Sequence, residues 1–111
     1  MKKLSLTILA VILASQIVIA DPPKKVNLAY NNNVLSIEAI HPVKDVKTHY
    51  IDQITISVDG KDVKTIKVKQ QSSTSSQVEQ VSLPNITKGV KIKVSCRCNE
   101  FGNKSNSIKV K

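Results

Sequence analysis

Four side chains in this sequence are suited to binding a transition metal, and they fall in two short segments. His41 and His49 lie in one segment, and Cys96 and Cys98 lie together in the other. They are the only histidines and cysteines in the 111 residues. Imidazole nitrogen and thiolate sulfur are the side-chain donors that bind iron, copper and zinc well. The pattern therefore indicates a metal site with these four residues as candidate ligands, and it does not indicate a hydrolytic triad.

The two cysteines leave three alternatives open. Cys96 and Cys98 are two residues apart and share the apolar side of an alternating segment, so both side chains are expected to face inward. An even number of cysteines in an exported protein normally suggests a disulfide, but a bridge across this spacing would be strained. Two buried thiols that pack as small hydrophobic groups are the second alternative. Metal ligation by one or both is the third, because the chain also has two histidines.

The first twenty residues are interpreted as a signal peptide. Met1-Lys2-Lys3 is a positive start, residues 4–20 are almost entirely apolar, and Ala20 precedes the polar sequence Asp21-Pro22-Pro23. This predicts cleavage after Ala20, export to a bacterial periplasm and one mature domain over residues 21–111. An uncleaved membrane anchor is the alternative, although the apolar run is short for one. No later segment is long and apolar enough to cross a membrane, so no membrane contact is expected after cleavage.

The charge balance is strongly basic. The chain has 17 Lys and Arg residues against 8 Asp and Glu residues. Loss of Lys2 and Lys3 with the signal leaves 15 basic and 8 acidic residues, a net charge of +7. The lysines mostly alternate along predicted strands, as on a solvated sheet face, and the few aromatic residues argue against nucleic acid as a partner. The summed field of such a face would attract small anions.

The mature chain reads as short strands separated by turns. Apolar residues alternate with polar ones, Asn31-Asn32-Asn33 and Asp59-Gly60 are turn signals, and residues 70–76 are expected to form an exposed polar loop. No helical periodicity follows the signal, so we predict an all-β, immunoglobulin-like antiparallel sandwich with an aliphatic core. The predicted strands cover residues 26–30, 34–40, 54–58, 63–68, 78–83, 90–98 and 107–111.

The candidate ligands lie where these strands end. His41 and His49 bracket a loop that leaves one strand and enters the next, and Cys98 ends its own strand. Loops at one rim of a rigid sandwich commonly carry functional residues. We therefore expect the three side chains to meet at one end of the fold.

The motifs resemble the iron-binding domain of desulfoferrodoxin and neelaredoxin, the superoxide reductases. That family has a His-Pro-Met loop, a His-Tyr-Ile strand start and a Cys-Asn-x-His-Gly loop, in this order. The resemblance implies an immunoglobulin-like sandwich that holds non-haem iron by imidazoles in a plane and by one axial thiolate. His41 and His49 would then be two planar ligands and Cys98 the axial one. The matching residues are His41-Pro42, His49-Tyr50-Ile51, Cys98-Asn99 and Gly102.

The chain departs from the family at two ligand positions. Phe101 stands where the Cys-Asn-x-His-Gly motif has its histidine, and no histidine precedes His41. Two imidazoles and one thiolate remain, with Cys96 as a further candidate. Such a set favours tetrahedral or trigonal geometry, which suits copper or zinc at least as well as iron. The resemblance implies iron as the cofactor. Tyr50 and Asn99 are candidates for orienting the ligands, and packing in the core is the alternative for Tyr50.

The sequence is compatible with two functions. The first is an exported iron-binding protein of the superoxide-reductase type; if it is an enzyme, it is an oxidoreductase that acts on a small anion and takes electrons from a donor protein. The second is a non-catalytic periplasmic interaction domain that has lost the metal. The second function draws on another resemblance, to the small β-sandwich subunit of the bacterial sulfur-oxidation carrier, which has a His-Pro-Met loop and a hairpin comparable to Asp59-Gly60 and binds a partner subunit.

Overall fold

The computed structural model describes residues 21–111, and the predicted signal peptide lies outside this range. The described chain forms strands and connecting turns, with no helix among residues 21–111. Accordingly, these residues contain no helix long and apolar enough to cross a membrane. The strands are β1 (Lys25–Asn31), β2 (Val34–Ile40), β3 (Ile51–Val58), β4 (Lys61–Lys67), β5 (Ser76–Ser82), β6 (Lys91–Cys98) and β7 (Asn103–Lys109).

The strands form two antiparallel sheets. One has the order β1-β2-β5 and the other the order β4-β3-β6-β7. The β2–β3, β4–β5 and β5–β6 connections each pass from one sheet to the other, as in immunoglobulin-like sandwiches. Asn106 of β7 donates a side-chain hydrogen bond to the carbonyl oxygen of Val26 in β1, at 2.8 Å, which links the two sheets at one side. The predicted fold class is confirmed.

The core is aliphatic, as predicted. Inward-facing residues of β2, β3 and β6 alternate with exposed or half-buried ones, which is the pattern of strands with one face on the core. Burial of these side chains removes apolar area from water at about 25 cal/mol per Å², the main favourable contribution to folding. The fully or nearly fully buried members are Val26, Leu35, Ile37, Ala39, Ile51, Ile54, Ile56, Val81, Ile92, Val94 and Cys96.

The turns of two hairpins, β1–β2 and β3–β4, lie at the turn signals in the sequence. Asn32 and Asn33 have φ values of 51° and 65°, and Asp59 and Gly60 have φ values of 47° and 84°. Two consecutive positive φ values match the right-handed twist of the flanking strands, and Asn, Asp and Gly adopt them at least cost. The register of the β1–β2 and β3–β4 pairs therefore follows from local chemistry.

Two sequence-based expectations are corrected. Strand β7 begins at Asn103, earlier than the predicted start at residue 107, because pairing with β6 through backbone groups does not require apolar side chains. The segment 70–76 is not uniformly exposed: Gln71 is only 2% exposed and Ser76 only 6%. Gln71 is buried because hydrogen bonds to buried groups around it satisfy its whole amide. Polar composition alone could not indicate this.

Candidate metal site

The three sequence-predicted ligands meet at one end of the sandwich. His41 follows the last residue of β2, His49 lies two residues before the start of β3, and Cys98 is the last residue of β6. Strands β3 and β6 are neighbours, and Ile51 pairs directly with Cys98, which brings the His49 loop beside the thiol. One ligand atom from each of the three residues lies within 4.8 Å of the others. We call these residues the His-His-Cys group.

The two imidazole rings contact each other. Their centroids are 4.7 Å apart and their planes are nearly perpendicular, at 88°. His41 is completely buried, whereas His49 is half-buried. The group therefore lies just below the surface, with His49 on the side towards solvent.

Gln71 fixes the orientation of the His41 ring. Its Nε2 donates to the carbonyl oxygens of His41 and Ser73, at 2.8 and 2.9 Å. Its Oε1 accepts from the backbone N–H of Ile51 at 3.1 Å and lies 2.7 Å from Nδ1 of His41. Because Oε1 can only accept, Nδ1 of His41 must carry a proton. The other nitrogen, Nε2, is then the one available to a metal, as is usual when an outer residue fixes the tautomer.

His41 Nε2 has a second neighbour. The backbone carbonyl oxygen of Asp21 lies 3.0 Å from this nitrogen. A neutral ring with its proton on Nδ1 would place two lone pairs against each other here. The contact becomes favourable only when a cation lies at this position, either a second proton on the ring or a metal ion.

The side chain of His49 contains an unsatisfied polar atom. Its Nε2 is buried and has no hydrogen-bond partner among the residues that the structure describes. Buried nitrogens are almost always paired, since leaving one unpaired costs about 1–3 kcal/mol. The side chain that carries this unpaired nitrogen belongs to the His-His-Cys group, so binding of a metal ion by the group could satisfy it.

Asn99 holds the backbone on both sides of His49. Its side-chain oxygen accepts from the N–H of Tyr50 at 2.9 Å, and its Nδ2 donates to the carbonyl oxygen of Thr48 at 3.1 Å. Its own N–H donates to the carbonyl oxygen of Tyr50 at 2.9 Å. Asn99 thus positions His49 through the backbone. Tyr50, the other residue expected to orient ligands, takes part in these contacts through its backbone groups.

Cys98 is a buried free thiol at the end of β6. The backbone N–H of Glu100 points at its sulfur, with a nitrogen–sulfur distance of 3.4 Å. A donor aimed at the sulfur stabilises the negative charge of a thiolate, the form that binds metals. The turn that provides this donor is closed by the hydrogen bond from Cys98 N–H to the carbonyl oxygen of Gly102, at 2.9 Å.

Cys96 lies outside the His-His-Cys group. It belongs to the aliphatic core, packed among residues of both sheets, and it is a free thiol. Desolvation raises the pKa of Cys96 from 9.0 to about 12, so its thiol keeps its proton. Cys96 therefore matches the alternative of a buried structural thiol, and the predicted inward projection of both cysteines is confirmed.

Phe101 and Gly102 complete the rim of the site. The Phe101 side chain is 58% exposed, in the bend that follows Cys98. Gly102 has a φ of 79°, and a Cβ added to it would lie 2.6 Å from Cβ of Pro22. The segment before β1 therefore passes directly over the loop that carries the thiol.

The donor set can hold one transition-metal ion. Two imidazole nitrogens and one thiolate are typical ligands of zinc, copper and iron. Ligands of one such ion lie about 3–4 Å apart, so the 4.8 Å spread requires only a small inward movement of the side chains. The geometry does not distinguish between metals.

Three residues that contact the candidate ligands are not indicated by any pattern in the sequence. Gln71, Asp21 and Glu100 contact ligands through an amide, a carbonyl oxygen and a backbone N–H, respectively.

Comparison with protein-family models gave no match, and comparisons with curated proteins and with solved structures gave no significant match.

Proposed function

We propose that this chain is an exported protein that binds one transition-metal ion through His41, His49 and Cys98. The proposal combines the sequence pattern of a cleaved signal with the position of the three side chains at one rim of the sandwich. Iron is the metal we propose first, because the motifs resemble the superoxide-reductase domain. Copper and zinc are the alternatives, because a set of two imidazoles and one thiolate also suits them.

The observation that carries the proposal is the unpaired Nε2 of His49. This atom is buried and has no hydrogen-bond partner in the described chain, and it belongs to a ring that contacts the ring of His41 and forms a three-residue group with Cys98. A histidine kept only for packing would be expected to pair both ring nitrogens. Coordination of a metal ion would satisfy this nitrogen and recover the cost of its burial.

The surrounding residues prepare the ligands for this role. Gln71 keeps the proton of His41 on Nδ1 and leaves Nε2 free to coordinate, whereas Glu100 N–H stabilises charge on the Cys98 sulfur. Asn99 limits the positions open to His49. Such outer contacts orient ligands and raise metal affinity in characterised sites.

We further propose that reduction of superoxide by this protein is weak or absent. A bound iron ion would supply one-electron chemistry towards a small anion, and the net positive charge of the domain would attract that anion. However, the exposed Phe101 stands where the resemblance places an imidazole, and phenylalanine offers no donor. The site therefore has fewer nitrogen ligands with which to set the potential of the metal.

A non-catalytic interaction domain is the second candidate, and one observation favours it. Both ring nitrogens of His41 have oxygen neighbours, Gln71 Oε1 at 2.7 Å and Asp21 O at 3.0 Å. A doubly protonated, purely structural His41 would satisfy both contacts without a metal. In that case the site would hold no ion and the rim would serve only for binding a partner.

Metal analysis of the purified protein separates the two candidates. The protein is isolated from the periplasm of the expressing bacterium without added metal, and its metal content is compared with that of His49→Ala and Cys98→Ser variants. Cys96→Ser is the matched control, since that thiol lies in the core, outside the group. We expect near-stoichiometric metal in the wild type and the control, and loss of metal in both ligand variants. Substoichiometric metal that the ligand variants leave unchanged would favour the interaction domain.

A further inference from the structure

The three side chains of the group are too few to complete the coordination of a transition metal. Zinc in structural sites takes four ligands, and other first-row ions take four or more. Cys96 is not available, because its thiol is held in the aliphatic core, outside the group. Phe101 offers no donor. At least one further ligand must come from another part of the chain or from solvent.

Asp21 is the residue outside the group that lies closest to an available ligand atom. Its carbonyl oxygen is 3.0 Å from His41 Nε2, the nitrogen that Gln71 leaves free. Two donors that bind one ion at about 2.1 Å each lie about 3.0–3.4 Å apart when the angle between them is between square and tetrahedral. The carbonyl oxygen of Asp21 is thus already at the spacing of a neighbouring ligand.

The chain holds Asp21 at this position. Pro22 lies against Gly102, where even a Cβ would collide with the proline ring, and Pro23 is buried. Lys24 N–H donates to the carbonyl oxygen of Ile40 at 2.8 Å, immediately before His41. The Asp21–Lys24 segment is therefore fixed at one point to the thiol loop and at another to the end of β2, which His41 follows.

We infer that signal cleavage creates a ligand: the free α-amine of Asp21 binds the metal together with the carbonyl oxygen of the same residue. This inference rests on the proposed function in both its parts, export with cleavage after Ala20 and binding of one metal ion. Hydrolysis of the Ala20–Asp21 peptide bond consumes one water and leaves a carboxylate on Ala20 and an amine on Asp21. Before cleavage this nitrogen is an amide without a usable lone pair. After cleavage it is an amine that closes a five-membered chelate ring with its own carbonyl oxygen.

The residue after Asp21 determines which atoms can bind. Pro22 has no N–H, so its peptide nitrogen cannot lose a proton and become a metal ligand. The amine and the carbonyl oxygen of Asp21 are left as the chelating pair. With two imidazoles and one thiolate they make five donors, all from within one rim of the fold. The ion would therefore be bound fully only after export, and metal loading would be coupled to the removal of the signal.

The test compares exported proteins that differ only at the amino terminus. The wild type, a variant with Gly-Ser inserted between Ala20 and Asp21, and Asp21→Ala are isolated from the periplasm, and their amino termini are sequenced. Each is stripped of metal, and its affinity for Zn²⁺ is measured by competition with a chromophoric chelator. The insertion moves the amine about 7 Å away and turns the Asp21 nitrogen back into an amide. Thermal unfolding of the metal-free proteins shows whether the fold is unchanged.

We expect the insertion to weaken Zn²⁺ binding by about tenfold or more, whereas Asp21→Ala, which keeps the amine and the carbonyl oxygen, changes it by less than about threefold. Electron paramagnetic resonance of the Cu²⁺-loaded proteins should show one nitrogen ligand fewer in the insertion variant. Equal affinities for wild type and insertion, or a wild-type amino terminus other than Asp21, would overturn the inference and leave binding by the group intact. Loss of affinity in Asp21→Ala with no loss in the insertion variant would overturn the inference as well and assign the ligand to the carboxylate of Asp21. Absence of Zn²⁺ binding in all three would overturn the proposed function as well.

Discussion

His41 and Gln71 are joined by two hydrogen bonds, although they are thirty residues apart in the sequence. The Nδ1 of His41 donates to Gln71 Oε1 at 2.7 Å, and Gln71 Nε2 donates to the carbonyl oxygen of His41 at 2.8 Å. Gln71 thus forms hydrogen bonds to both the ring and the backbone of His41. The position and tautomer of His41, the most buried ligand, therefore depend on a glutamine in the polar loop between β4 and β5.

Replacement of Gln71 should lower the stability of the fold. Gln71→Ala leaves the His41 carbonyl oxygen and the Ile51 N–H without their partner, so we expect the free energy of unfolding to fall by about 2–4 kcal/mol. Urea unfolding of the metal-free protein measures this change. Gln70→Ala is the control, since its exposed side chain should matter by less than about 0.5 kcal/mol. Similar values for the two variants would contradict the role given to Gln71.

Replacement of Asn99 should weaken metal binding, although its side chain is only half-buried and is not itself a ligand. Asn99→Ala frees the backbone on both sides of His49, so we expect Zn²⁺ affinity to fall about 10- to 100-fold. Competition titration of the purified variant gives the value. Asn103→Ala, at the exposed start of β7, is the matched control and should bind as the wild type does. An Asn99 variant that binds Zn²⁺ normally would show that His49 needs no such support.

Position 101 should accept a new ligand. Phe101→His places an imidazole at the rim, in the bend next to Cys98, so we expect Fe²⁺ affinity to rise by about tenfold and superoxide reduction to increase. Phe101→Ala separates the gain of a donor from the loss of the aromatic ring and should leave affinity unchanged. Affinity and superoxide turnover are measured on the same preparations. No gain with histidine would mean that side chains at this position do not reach the metal.

Gly102 should tolerate no side chain because of Pro22. Gly102→Ala combines an unfavourable positive φ with a collision at 2.6 Å. Gly89→Ala is the matched control, because Gly89 has a φ of 89° but open space around it. We expect about 1 kcal/mol of destabilisation at Gly89 from backbone strain alone, and clearly more at Gly102. Equal unfolding free energies for the two variants would mean that Pro22 does not press on the thiol loop.

Much of the fold could be predicted from local pattern. Alternation of apolar and polar residues predicted the strands and the inward direction of both cysteines, because a half-buried strand has a period of two. Asn32-Asn33 and Asp59-Gly60 predicted the hairpins, because few residues adopt positive φ at low cost. The position of His41, His49 and Cys98 at the ends of predicted strands also predicted that they lie at the same end of the sandwich.

The rest of the site depends on long-range contacts between polar groups. Gln71 and Ser76 lie in a stretch whose composition is typical of an exposed loop, and only the packed structure supplies the partners that allow their burial. Asp21 contributes a backbone oxygen, which no side-chain pattern can indicate. Cys96 and Cys98 look equivalent in sequence, yet one lies in the aliphatic core and the other at the rim.

X-ray absorption spectroscopy of the Zn²⁺-loaded protein tests the central claim most directly, because it reports the atoms that surround the metal. Binding by the His-His-Cys group predicts one sulfur neighbour at about 2.3 Å and imidazole nitrogens at about 2.0–2.1 Å. Cys98→Ser should remove the sulfur contribution, and Cys96→Ser should leave it in place. A spectrum with only oxygen neighbours, or a sulfur contribution that persists without Cys98, would contradict the account.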